Sequence, residues 1–145
     1  MLNWIPNARS SLPIALALVL GCSGAPTAVA PDPAIGTYVL TAVSGHALPA
    51  PLPVSGSVTS SIAIAGSIFL GPDGTYSAEL QAQDTRGTTT TTSNRGIPSG
   101  TWLRSSSTGL TLNPDVSIQL PVTVAYSATS LTFTWLTESY VYRRQ

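Results

Sequence analysis

Val116-Ser117-Ile118-Gln119-Leu120-Pro121-Val122-Thr123-Val124 alternates at every step between an apolar side chain and a polar residue or proline. A period of two matches a β-strand, whose successive side chains point to opposite faces. On this reading Val116, Ile118, Leu120, Val122 and Val124 share a core face. Pro121 brings no N–H to a ladder, so the strand is expected at an edge or with a bulge.

The same period continues outward from this stretch. Downstream, Leu131, Phe133 and Trp135 alternate with Thr132 and Thr134, and Tyr140 and Tyr142 close the chain. Upstream, residues 100–104 and 110–113 read as short strands around a serine-rich turn, and Asn113-Pro114-Asp115 reads as a further turn. Residues 75–80 alternate cleanly and should pair with residues 67–70. Gly71-Pro72-Asp73-Gly74 joins them, since proline presets the first corner and glycine accepts positive φ. Residues 58–70 are rich in β-branched side chains, and Gly66 either splits them into two strands or marks a bulge. Residues 36–43 form the first strand candidate, and residues 46–57 read as a proline-rich loop. Residues 84–99 hold the run Thr88 to Thr92 without apolar alternation, as a loop or an exposed edge hairpin would.

Strands recur with turn signals between them, and no helical period appears beyond the N-terminal segment. The expected fold is all-β: a small antiparallel up-and-down barrel or flattened barrel of about eight strands. The expected core comprises the apolar face of residues 116–124 with Tyr38, Leu40, Ile68, Leu70, Tyr76, Leu80, Trp102, Leu110, Leu112, Leu131, Phe133, Trp135, Tyr140 and Tyr142.

Gly36-Thr37-Tyr38, Gly45 ahead of Leu48-Pro49, Gly66-Ser67-Ile68-Phe69-Leu70, Asp73-Gly74-Thr75-Tyr76, Ser99-Gly100-Thr101-Trp102 and Tyr140-Val141-Tyr142-Arg143 together resemble small lipocalin-like bacterial lipoproteins. The resemblance implies a lipocalin-like domain over residues 36–145. In the wider lipocalin group a Gly-x-Trp opens the first strand, and an arginine near the last strand packs on that ring. Here Tyr38 takes the tryptophan position, and Arg143 or Arg144 is the arginine candidate.

The N-terminus carries its own signature. Arg9 precedes the apolar run 12–20, which ends in Val19-Leu20-Gly21-Cys22. The run has the length of an export signal and falls short of the roughly 20 apolar residues a spanning helix needs. Its ending resembles a lipobox, which implies a signal peptide over residues 1–21 and lipidation of Cys22. A competing cut lies after Ala28-Val29-Ala30, although Pro31 disfavours it. An exported chain with one cysteine has no internal disulfide to make, which also favours lipidation. Residues 22–35, rich in proline and alanine, then read as a semi-extended tether. The resemblance places the protein at the cell envelope, held by an N-terminal lipid. Ser23 stands where an aspartate would favour inner-membrane retention, so the outer membrane is the expected site in a cell with two membranes.

Charge is sparse. Only 8% of residues are charged, none is lysine, and the formal net charge is zero. Such a chain has no electrostatic footprint for nucleic acid. His46 is the sole histidine and the six acids are scattered, so the sequence nominates no metal site, catalytic triad or carboxylate pair, and a hydrolase has the least support. A non-enzymatic protein without a cofactor or metal is expected. What remains is aromatic: Tyr38, Trp102, Trp135 and Tyr142 are the ligand candidates, for a small apolar molecule stacked at a barrel mouth. The bland alternative is that they fill the interior of a narrow barrel. The two functional expectations are therefore a lipid-anchored module for a small apolar ligand, and a structural or protein-interaction envelope lipoprotein with a filled barrel.

Overall fold

The computed structural model describes residues 30–95, 98–117 and 119–145. The signal segment 1–21, Cys22, residues 23–29 of the tether and Ile118 lie outside the described residues.

Eleven strands form one antiparallel sheet: β1 (Gly36–Val43), β2 (His46–Ala47), β3 (Ala50–Pro51), β4 (Ser60–Leu70), β5 (Thr75–Arg86), β6 (Thr89–Asn94), β7 (Gly100–Ser106), β8 (Gly109–Pro114), β9 (Val122–Ser127), β10 (Ser130–Trp135) and β11 (Glu138–Arg144). Around the sheet the order runs β1-β11-β10-β9-β8-β7-β5-β4, and β4 pairs back onto β1. The result is a closed eight-stranded up-and-down barrel, with β2, β3 and β6 as additions. Closure removes the free edges that an open sheet of this length would expose.

Local chemistry accounts for the main turns. Gly74 has φ 79°, and Asp73 Oδ1 accepts from the Thr75 N–H at 3.0 Å and the Thr75 hydroxyl at 2.7 Å. That turn sets the β4–β5 register at Leu70↔Tyr76. It is clasped from the side by Trp102, whose Nε1 donates to Gly71 O at 3.0 Å. Residues 60–70 form one strand; the register shifts between Ala63 and Ala65. Gly66 itself serves a close approach, because a Cβ there would stand 3.0 Å from Glu79 O and 3.1 Å from Leu40 Cβ.

The threonine run folds as the second half of a hairpin. β5 continues to Arg86 and pairs with β6 from Arg86↔Thr89 to Gln81↔Asn94, beyond the point where β5 meets β7. The proline-rich stretch is also more regular than a loop: β2 pairs with β1 and β3 with β4.

Inward side chains fill the barrel. Tyr38, Ile68, Leu70, Leu110, Val124, Leu131 and Tyr142 are fully buried. Phe133 stacks on Tyr140 and Tyr142, with ring centroids 5.7 Å apart in both pairs. Full burial of each such side chain contributes about 1.5–3 kcal/mol, most of it offset by chain entropy.

The alternating stretch is corrected at its start. β9 begins at Val122, which pairs with Leu112; carried on, the register would set Leu120 against Pro114 at the end of β8, but the ladder stops short of that pair. Val116 is 40% and Leu120 83% exposed, outside the expected core. Alternation fixes faces but not partners: Tyr126 N donates to Thr108 O, so in that register Leu120 would bond to Pro114, which has no N–H to give. Trp135 is likewise half-buried at the end of β10 rather than in the core.

Candidate functional site: an apolar mouth opposite a strapped end

The two ends of the barrel differ. At one end the chain enters through residues 30–35, which lie across the opening. Ala34 is fully buried and its carbonyl accepts from the Tyr38 hydroxyl at 2.8 Å. Arg104 makes a bidentate pair with Asp32, with Nε to Oδ2 at 2.7 Å and Nη2 to Oδ1. Its guanidinium also lies 4.6 Å from the centre of the Tyr126 ring. The Arg104 hydrogen bond holds the Asp32 carboxyl below the usual carboxylate range. Arg144 supplies the second clasp, donating to Pro33 O and Ile35 O at 2.5 Å each, with its guanidinium over the Tyr38 ring. Of the two arginine candidates, Arg144 is the one whose guanidinium lies over the Tyr38 ring; Arg143 pairs with Val39 in the β1–β11 ladder.

The opposite end is open and apolar. A cleft of about 360 Å³ is lined by Leu52, Pro53, Val54, Leu80, Trp135, Leu136 and Tyr140, with Ser55, Arg95, Thr137 and Glu138 as its polar residues. On the far side of the Trp135–Leu136 turn a shallower cleft of about 680 Å³ adds Gln119, Leu120, Pro121 and Val122. Trp135 and Leu136 form the ridge between the two. Leu136 is 89% exposed and holds φ at 56°. A leucine in the left-handed region costs about 1–2 kcal/mol, and nothing is buried in exchange.

Both charged groups in the deeper cleft already have protein partners. Arg95 Nη2 bonds to Asp84 Oδ1 at 2.6 Å, and the Glu138 carboxylate accepts from the Ser44 hydroxyl. The Arg95 bond holds the Asp84 carboxyl below its ordinary value. An entering molecule thus meets hydrocarbon and aromatic surface with internally satisfied charge.

The four aromatic ligand candidates do not converge. Trp135 borders the mouth. Trp102 lies toward the strapped end, bordering a cleft with Pro31, Asp32 and Arg104. Tyr38 is buried under the strap and Tyr142 at the barrel centre. The Tyr142 and Tyr76 hydroxyls are buried without a hydrogen-bond partner, and burial pushes both phenols up, that of Tyr76 to about 12. Sequence reasoning missed Leu52, Val54, Leu80 and Leu136 as mouth residues. A readable signal was there: large aliphatic side chains sit at 52, 54 and 136, in segments where turn chemistry alone predicts polar residues.

His46 lies exposed in the two-residue β2. Among the described residues no three His, Cys, Asp or Glu side chains come together as a metal site would need.

Fold and site together define a small closed antiparallel β-barrel, packed inside, strapped at one end and apolar at the other. No protein-family model, no curated protein and no solved structure matches this chain.

Proposed function

We propose that this chain is a lipid-anchored, lipocalin-like envelope protein that takes a small uncharged apolar ligand at its mouth, without turning it over. The observation that carries the ligand reading is the deeper cleft, walled by aliphatic and aromatic side chains whose neighbouring charges are already paired. Exposed leucine on a strained turn is costly for a monomer to keep, and a bound apolar molecule would cover it. The ligand sits in the rim, since the interior below is occupied by Phe133, Tyr140 and Tyr142. The anchor reading rests on the lipobox-like ending at Cys22. An outer-membrane address in a cell with two membranes rests on Ser23.

The test is a fluorescence titration of the purified chain with N-phenyl-1-naphthylamine, a neutral apolar probe. One saturable site is expected, weakened about tenfold by Leu136→Asp, the equivalent of losing about 1.4 kcal/mol of apolar contact. A Trp102→Phe variant should bind as the native chain does. Equal binding by Leu136→Asp overturns the mouth reading. Mass spectrometry of the mature N-terminus tests the anchor separately, and an unmodified Cys22 overturns it.

The filled interior favours one second reading, a structural or interaction barrel with no ligand. In that case the probe would find no saturable site.

A further inference from the structure

The β5–β6 hairpin leaves one row of backbone groups unused. Arg95 N donates to Leu80 O at 2.6 Å, in line with the ladder that pairs Ser93 with Ala82, Thr91 with Asp84 and Thr89 with Arg86. Antiparallel ladders alternate hydrogen-bonded and non-bonded pairs. Thr89, Thr91 and Ser93 therefore direct their N–H and C=O toward β5, and Thr90, Thr92 and Asn94 direct theirs away. The side chains agree: the Thr85 and Thr90 hydroxyls meet at 3.2 Å, as a close non-bonded pair allows. Among the described residues no strand pairs with this outer side of β6.

Native edges are normally blunted by charge, proline or shortness. The opposite edge of the same sheet extension follows that rule, because β3 has two residues and one is Pro51. β6 does not: Thr89-Thr90-Thr91-Thr92-Ser93-Asn94 has six residues, no charge and no proline, and all but Ser93 are exposed. Its residues suit pairing, since threonine favours extended backbone.

We propose that β6 is a self-association edge, to which a second copy of this chain adds its own β6 antiparallel. Matching outward groups to outward groups fixes the register. Thr92 faces Thr92 of the second copy on the two-fold axis, and Thr90 faces Asn94 on either side. These three pairs exchange about six main-chain hydrogen bonds. No like charges meet along the seam, and the chain's zero net charge adds no long-range repulsion. The contact is isologous and closes after two copies. A single strand edge buries less than the roughly 800 Å² per partner of a standard interface, so the dimer is concentration-dependent. The inference stands apart from the ligand and anchor readings, as it uses neither the mouth nor Cys22.

Two experiments test it. Sedimentation velocity of the full chain should show a monomer–dimer equilibrium that shifts with concentration. Thr92→Pro removes an outward N–H without touching the β5 ladder, so it should be monomeric with the native melting temperature. Thr91→Pro, which breaks the ladder, should lower the melting temperature instead. In a Cys22→Ser background, mild oxidation should link Thr92→Cys chains, whose Cα atoms lie about 5.5 Å apart across the axis, within disulfide reach. Thr91→Cys should link poorly, because it faces Ser93. A chain monomeric up to about 1 mM, a Thr92→Pro dimer, or equal linking at 91 and 92 would each overturn the proposal.

Discussion

Arg144 and Tyr38 are stacked across the end of the barrel, with the guanidinium carbon 5.8 Å from the ring centre. The two residues come from opposite ends of the domain, and Tyr38↔Arg144 is also a register pair of the β1–β11 seam. Arg144 holds the strap by Pro33 O and Ile35 O, and Tyr38 holds it by Ala34 O. One contact therefore joins closure of the barrel to docking of the segment that enters it.

Removing this arginine should show its weight. Arg144→Ala is expected to cost about 1–2 kcal/mol from the lost stacking and charge-assisted bonds, read as a lower urea midpoint. Arg144→Lys should recover little, since a compact ammonium lacks the planar fork whose Nη1 and Nη2 reach the two carbonyls while its face covers the ring. Arg143→Ala, at an exposed position, should fall within about 0.5 kcal/mol of native.

The Asp32–Arg104 pair makes stability depend on pH. The Asp32 carboxyl titrates below its ordinary value because Arg104 bonds to it. A depressed folded-state pKa contributes stability that is present above the unfolded value, about 3.9, and is lost as pH falls through the folded value. Melting temperatures measured downward from pH 5 should therefore fall less steeply for Asp32→Asn than for the native chain. The Asp73 and Asp84 carboxyls, also lowered, keep part of the slope in both.

Among the described glycines, Gly100 leaves the least room for a Cβ. A Cβ there would stand 2.1 Å from Asn113 O and 2.9 Å from Pro114 Cα, both backbone. Gly100→Ala must push β7 from β8 and should destabilise by about 2–3 kcal/mol in chemical denaturation, an overpacking cost.

The Leu136 turn should separate stability from binding. Leu136→Gly relieves the left-handed strain and is expected to stabilise by up to about 1 kcal/mol. It also removes the most exposed apolar side chain of the rim, so apolar probe binding should weaken in the same variant. A thermal melt and a probe titration on one sample check both signs.

The barrel was legible because its hairpins carry their own instructions. Gly71-Pro72-Asp73-Gly74 specifies a turn, residues 75–80 specify a face, and together they set a register that the structure keeps. The filled interior was also largely readable, since Tyr38, Phe133, Tyr142 and their neighbours alternate in phase with buried positions. Val116 and Leu120 misled for a physical reason. Their alternation is real, but a strand needs a bonding partner: the β8–β9 ladder ends at Leu112↔Val122, and the next bonded position on β8 is Pro114, which lacks an N–H. The mouth was hard to see because it gathers residues 52–55, 80, 95, 135–138 and 140 from separated segments. Among them only the aromatics Trp135 and Tyr140 announced themselves by type. The Thr88–Thr92 run left a loop and an exposed edge hairpin both open because nothing apolar repeats there; pairing with β5 makes it the hairpin.

Both ends of the described chain leave from one pole. Gln145 N donates to Thr37 O at 3.0 Å, while Arg144 reaches Pro33. A fluorescent reporter fused after Gln145 would thus sit beside the strap residues 33–35, and would stay clear of the rim. The same proximity suits circular permutation: a short peptide splicing Gln145 to residue 30 would let the chain be reopened at the Thr129 hairpin with its barrel intact.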